Sequence, residues 1–181
     1  NFLLFDYKGE FSDIQNNHWL ALFDVDRSCI LDPLTQPLPF TPFKDFTERS
    51  INEINLYSTE MSSALYSIDR VSASANMNNR LSEAIVEAYK STNGAPISFE
   101  LMLKCYQSRM KDANNDDSIS SVLKQLVNAH IFESEDKVSL IDDSYIIKMD
   151  GYPKDGPIAK AIVYFLMSKL NNIYELWISK Q

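Results

Sequence analysis

The sequence predicts a mixed α/β fold in which a mostly helical insertion interrupts a sheet-forming core. Short apolar runs of strand character lie near both ends of the chain, whereas the middle repeats apolar residues at helical spacing. The 181 residues contain only four glycines, which favours long helices over a turn-rich all-β protein. A core with an insertion explains this order of elements, and the chain is expected to be predominantly helical overall.

The first predicted strand is the apolar run from Phe2 to Phe5, which stops abruptly at Asp6. Lys8, Gly9 and Glu10 follow, so two acids, a base and a flexible residue stand at the strand end. Ligand-handling residues of open α/β sheets lie at the carboxyl ends of strands, because the neighbouring helices leave a crevice there. Asp6, Lys8, Gly9 and Glu10 are therefore the candidate site. Because the chain begins with this strand and not with methionine, we expect it to be part of a longer protein.

A second strand is predicted at Cys29 to Asp32, and a proline-rich apolar linker follows from Leu34 to Phe43. Three prolines in these ten residues exclude a regular helix or a central strand. Residues 1–45 are therefore predicted to form the first segment of the core. The side chains of Phe40 and Phe43 are expected to be buried core residues that pack the insertion against the sheet.

Residues 46–135 are predicted to form the insertion, with four helices. Ser50 and Glu53 have the spacing of a capping box, in which each side chain satisfies a backbone amide at the helix start. Apolar residues recur at helical spacing after each start, so one face of each helix is expected to be buried. The further helices are expected to begin near Asn76, at Ser98, and at Asp117 or Ser118.

Residues 136–181 are predicted to return to the core as strands and a long helix. Val138–Ile141 and Tyr145–Met149 are interpreted as a hairpin or as two edge strands, because two apolar runs flank a short polar turn. The final helix is expected from about Asp155 to Trp177, with Asp155 as its N-cap and Pro157 in its first turn.

A winged helix is an alternative interpretation of the stretch from Ser98 to Met149, because helices followed by a hairpin have that outline. Such a module usually reads DNA through a basic recognition helix. Here the candidate recognition helix, Ser118 to His130, has Lys124 as its only permanent positive charge. In this alternative the chain is a non-enzymatic helical module that binds other proteins.

Composition limits the possible partners. The net charge is −8, and between Asp112 and Asp150 nine acidic residues stand against three lysines and no arginine. A general nucleic-acid surface needs clustered positive charge, so this segment is a poor candidate for one. Cys29 and Cys105 are isolated, which is typical of a reduced intracellular protein without a metal site. No apolar stretch reaches the roughly 18 residues that span a bilayer, so we expect a cytoplasmic protein without membrane contact.

Several short motifs resemble the HerA/FtsK class of RecA-like DNA-translocating ATPases. Leu4–Phe11 resembles the second core strand of that class, in which an Asp and a Lys-Gly-Glu type turn come after the phosphate-loop helix. Ile30–Leu34 and Leu38–Phe43 are similar to the next strand and its proline-containing stretch. Ile146–Asp155 and the helix after it resemble the elements that precede the Walker B strand. The helical middle is similar to the insertion of the conjugation ATPases.

The resemblance implies that the longer protein is an ATP-driven DNA translocase or helicase that uses ATP and magnesium and assembles as a homo-oligomer, with a hexamer expected. The motif Asp-Tyr-Lys-Gly-Glu-Phe most resembles the corresponding motif in the ATPases of DNA phosphorothioation-dependent restriction. DNA and other restriction subunits are therefore the implied partners. Glu10 and Asp6 would be catalytic carboxylates that polarise the attacking water or pair with a sensor residue. Lys8 and Gly9 would contact the nucleotide.

The chain departs from this class in two motifs. GxxxxGK[ST], whose backbone amides and lysine cradle the phosphates of a nucleotide, does not occur in the 181 residues. A strand ending in Asp-Glu, which would hold magnesium and activate water, is also absent from the sequence. We therefore expect this chain alone to hold no cofactor and to hydrolyse no ATP.

Overall fold

The structure is a computed structural model that describes residues 1–12, 20, 22, 29–68, 74–110 and 116–178. The chain forms two compact units. The first, called the sheet unit, consists of Asn1–Pro42 and Ile131–Gln181, and the second, called the helical unit, consists of Phe43–His130. Helices predominate and a small sheet is present, which confirms the predicted mixed α/β class.

Among its described residues, the sheet unit has a sheet of three parallel strands, β1 (Leu3–Asp6), β2 (Ile30–Leu31) and β3 (Tyr145–Lys148), in the order β1-β3-β2. The strand from the end of the sequence therefore lies between the two from its beginning. One row of side chains across the sheet is apolar, since Leu4 and Ile30 both align with Ile146. Phe2, Cys29 and Leu20 pack around this row, so it forms part of the core.

The prediction of a hairpin, or of two edge strands, at 138–149 is wrong. Val138–Ile141 forms bends and turns, and Tyr145–Lys148 is the central strand of the parallel sheet. The reason is that Tyr145, Ile146 and Ile147 are consecutive and all buried, as suits a strand covered on both faces. Val138 and Ile141 are 40% and 49% exposed. The winged-helix alternative depended on that hairpin and loses its support.

The long helix α5 (Pro157–Ile178) follows β3 in the sheet unit. It begins at Pro157, and the carbonyl of Gly156 accepts the N–H of Lys160 at 3.2 Å. Gly156 therefore occupies the N-cap position that was predicted for Asp155, because the fixed φ of proline suits the first helical residue. Within the described ranges, no helix combines the length and the apolar character needed to cross a lipid bilayer.

The part of the helical unit that the structure describes contains four helices, and each packs against the next along the chain. The helix starts predicted at Ser50, Ser98 and Asp117 are confirmed by their caps. Ser50 and Glu53 form the reciprocal capping box, with the N–H of Ser50 donating to Glu53 Oε2 at 3.0 Å. The side chains of Ser98 and Asp117 accept backbone N–H groups of the helices that follow them. The four helices are α1 (Ile51–Ile68), α2 (Ala75–Ser91), α3 (Phe99–Ser108) and α4 (Ser118–Ala129).

Both linker phenylalanines are buried, and each ring meets an aromatic partner within its own unit. Phe40 has no exposed surface, and its ring lies 5.6 Å from that of Tyr145 in the sheet unit. Phe43 is also buried, and its ring lies 4.8 Å from that of Phe99 in the helical unit. The sequence therefore identified two core residues.

Candidate functional site

The candidate site begins with Asp6, the last residue of β1, which is only 3% exposed. Its Oδ2 accepts the backbone N–H groups of Phe11 at 3.0 Å and Ser12 at 2.9 Å. Its Oδ1 accepts the N–H of Lys8 at 3.3 Å. The loop of residues 7–12 is therefore wrapped around a single buried carboxylate.

These contacts decide the charge of Asp6. Burial raises the pKa of this carboxyl, but the hydrogen bonds from Ser12, Phe11 and Lys8 outweigh burial and hold the pKa below its ordinary value. A carboxyl with a lowered folded-state pKa stabilises the fold above its unfolded-state pKa of about 3.9 and loses that contribution as the pH falls through the folded-state value. Asp6 is thus an anion at neutral pH that organises its own loop.

Replacing Asp6 by asparagine should lower the free energy of unfolding at pH 7 by about 1.5–3 kcal/mol, the value of hydrogen bonds to a charged group. At pH 2 the difference should shrink, because the stabilisation by the ionised carboxyl is progressively lost below its unfolded-state pKa of about 3.9. Urea unfolding at both pH values measures this. Asp142→Asn, at an exposed turn residue, is the control with little expected effect. A difference as large at pH 2 as at pH 7 would show that the charge of Asp6 does not hold the loop.

Gly9 allows the loop to turn tightly against a neighbouring acid. Its φ is +72°, in the region that favours glycine, and a Cβ placed there would lie 3.0 Å from Asp150 Oδ2. Lys8 and Glu10 flank this turn with side chains that are 70% and 64% exposed and whose charged atoms are 3.8 Å apart. An ion pair so exposed contributes little to stability. The four predicted residues thus share one loop, with Asp6 inside it and the Lys8–Glu10 pair at its surface.

The structure adds residues that the sequence-based site did not include, namely Asp32, Lys148 and Asp150. Lys148, the last residue of β3, aligns with Asp6 across the sheet. Its Nζ lies 3.1 Å from Oδ2 of Asp32, the residue directly after β2. Asp6, Lys148 and Asp32 therefore form a polar row at the carboxyl ends of all three strands. The strand-end rule that identified Asp6 applies equally to Asp32 and Lys148.

The polar row lies in a negative environment. The hydrogen bond to Asp32 raises the pKa of Lys148, burial opposes this, and the charges of Asp32, Asp150 and Asp6 raise it further. Burial, with the charge of Asp32 as a second cause, also raises the pKa of the Tyr152 hydroxyl. Lys148 is therefore firmly protonated at neutral pH.

Charge limits what this edge can do chemically. Among the described residues that these contacts bring together, Asp6, Glu10, Asp32 and Asp150 supply four carboxylates, and Lys8 and Lys148 supply two amines. Such a surface repels a free phosphate and suits the orientation of a water molecule or the pairing of a cation. Among the residues that the structure describes, no group of three or more His, Cys, Asp or Glu side chains is placed to hold a metal ion.

No family model, curated protein or solved structure matches this chain. The resemblance of its strand-end motifs to the HerA/FtsK class therefore stays a prediction.

Proposed function

We propose that the chain is part of the motor core of an ATP-driven DNA translocase or helicase of the RecA-like HerA/FtsK class. We further propose that it acts in DNA phosphorothioation-dependent restriction, as the ATPase DptH does. The observation that carries the proposal is the polar row of Asp6, Lys148 and Asp32 at the carboxyl ends of three parallel strands. This is the edge at which open α/β sheets handle ligands. The strand that contributes Asp6 also carries the Asp-Tyr-Lys-Gly-Glu-Phe motif of the resemblance.

In this proposal Asp6 and Glu10 have different roles. The oxygens of Asp6 are occupied by loop amides, so Asp6 is a positioning residue that sets the conformation of the loop. Glu10 lies at the loop surface and is the catalytic candidate that polarises the attacking water. Lys8 and Gly9 contact the nucleotide from the same loop. The phosphates and the magnesium ion are held mainly by a phosphate loop and a Walker B acid elsewhere in the longer protein, because this edge is negative.

The proposal also defines the partners and cofactors. ATP and magnesium serve the assembled motor. In this proposal the motor is a homo-oligomer, with a hexamer expected, that moves along DNA with other restriction subunits. The 181 residues alone lack the GxxxxGK[ST] motif, so the isolated chain is expected to show no turnover of ATP.

The proposal is tested by ATP hydrolysis in the longer protein that contains this chain. Glu10→Gln should lower the DNA-stimulated rate on the order of 100-fold or more, because a general acid–base group is removed. The melting temperature should not change, since the Glu10 side chain is 64% exposed. Glu135→Gln, at another exposed acid of the sheet unit, is the matched control and should leave the rate unchanged. Equal rates of ATP hydrolysis in the two variants would show that Glu10 is not part of the site. A wild-type protein without ATPase activity would refute the proposed function.

A further inference from the structure

Two segments that flank the helical unit in sequence are bonded to each other within the sheet unit. The N–H of Leu38 donates to the carbonyl of Ile131 at 2.6 Å, and the N–H of Glu133 donates back to the carbonyl of Leu38 at 3.0 Å. The N–H of Lys137 donates to the carbonyl of Pro39 at 3.0 Å. The first two bonds form an isolated parallel bridge between Leu38 and Phe132, and the third joins Pro39 to Lys137. We call these bonded segments the clamp.

Two charged side chains extend the clamp. Asp136 Oδ1 accepts the N–H of Thr41 at 2.9 Å, and Asp136 Oδ2 accepts a hydrogen bond from Lys169 Nζ at 2.7 Å. Lys169 Nζ also donates to the carbonyl of Thr41 at 3.2 Å. Charge-assisted bonds are stronger than neutral ones. The Lys169 side chain is 16% exposed and that of Asp136 is 45% exposed, so solvent screens this pair only in part. Lys169 on α5 thereby ties both clamp segments to the long helix.

The clamp also rests on buried apolar side chains. Leu38 and Ile131 are 1% and 2% exposed. The ring of Phe132 packs edge-on against that of Phe165 on α5, with centroids 5.8 Å apart. Opening the clamp would therefore expose apolar surface as well as break hydrogen bonds.

The helical unit secures its own first segment independently. The N–H of Phe46 donates to the carbonyl of Gly94 at 2.7 Å, and the hydroxyl of Tyr89 donates to the carbonyl of Lys44 at 3.0 Å. The rings of Phe46 and Tyr89 pack edge-on at 5.1 Å. Residues 44–46 are therefore held by α2 and the turn that follows it.

We propose that the clamp holds the sheet unit closed by itself, so that the two units open independently of each other. Lys169 is the residue that keeps the clamp closed. A partner that binds or distorts the helical unit would then leave the strand ends of the sheet in place. Cooperative units of this kind open with separate free energies, which amide hydrogen exchange measures. The proposal goes beyond the proposed activity and does not depend on it.

The test is hydrogen exchange of the full 181-residue chain, comparing wild type with Lys169→Met. Exchange should become about 10-fold faster or more at the clamp amides, because bonds to a charged group are lost. The exchange rates of the α2 amides should stay within about twofold of those in the wild type. Lys160→Met, at a lysine of α5 outside the clamp, is the control. It should change the exchange rates of neither the clamp amides nor the α2 amides. The clamp amides are those of Leu38, Thr41, Glu133 and Lys137.

A second variant tests independence from the other unit. Arg109 pairs with Glu83 and Glu87, each at 2.7 Å, so Arg109→Met should accelerate exchange in α2 and leave the clamp amides unchanged. If either variant accelerated amide exchange in both units, the proposal of independent opening would be overturned. Unchanged clamp amides in Lys169→Met would show that Lys169 is not the lock.

Discussion

Replacing Gly94 by alanine is expected to lower the free energy of unfolding of the helical unit by about 3 kcal/mol. Gly94 has a φ of +87°, where a side chain is strained whatever space is available. A Cβ there would also lie 2.5 Å from the carbonyl oxygen of Phe46, which is backbone and held by its neighbours. Strain and overlap both act at this position, so the chain after α2 has to shift. Urea unfolding followed by circular dichroism measures the loss.

Gly151→Ala is the matched control for this substitution. Gly151 does not have a positive φ, and its added Cβ would meet only the end of the Leu34 side chain. Leu34 is 60% exposed and free to change rotamer, so the expected loss is below about 1 kcal/mol. Equal losses in the two variants would contradict the account of the turn at Gly94.

Replacing Phe40 by alanine is expected to lower the free energy of unfolding of the sheet unit by about 3–5 kcal/mol, the usual cost of a large cavity at a buried aromatic residue. Phe40 has no exposed surface, and its ring packs edge-on against Tyr145 on the central strand β3. The clamp residues on either side of it hold its backbone, so the site has little freedom to collapse. The same unfolding experiment, with a probe in the sheet unit, gives the value.

Met167→Ala is the control for Phe40, because Met167 lies on α5 with 52% of its surface exposed. Its truncation should change stability by less than about 0.5 kcal/mol. If Phe40→Ala cost no more than this control, the proline-rich linker would not be part of the core.

Much of the fold could be predicted because its signals are local. Helix starts at Ser50, Ser98 and Asp117 depend on a side chain that bonds an amide three residues or fewer away, so the sequence alone identifies them. The strand segments are apolar runs bounded by polar residues. Three of the four predicted strand segments, 2–6, 29–32 and 145–149, contain the strands of one parallel sheet, whereas 138–141 forms no strand.

The order and direction of the strands could not be read in this way. Tyr145–Lys148 pairs with residues more than 100 positions earlier, and its neighbour Val138–Ile141 looks equally strand-like in sequence. A short apolar run near another one suggests a hairpin, but burial on both faces decides in favour of the centre of a parallel sheet. That choice depends on partners far along the chain.

The candidate site, like the fold, was predicted only in its local features. The position of Asp6 at the end of a strand is a local feature, and it was predicted. The row that Asp6 forms with Lys148 and Asp32 depends on strand register, so it became visible only in the structure. The occupation of the Asp6 oxygens by amides of its own loop depends on loop conformation, which apolar periodicity does not determine.

The central claim, that nucleotide is handled at the carboxyl edge of this sheet, is tested most directly by photo-crosslinking in the longer protein that the proposal implies. An ATP analogue with its reactive group on the γ-phosphate would be irradiated with and without excess ATP, and the labelled peptides identified by mass spectrometry. The account predicts ATP-competed labels within residues 7–12 or 149–156. Labels confined to residues 43–130, or a protein that hydrolyses ATP but shows no competed label at this edge, would contradict it.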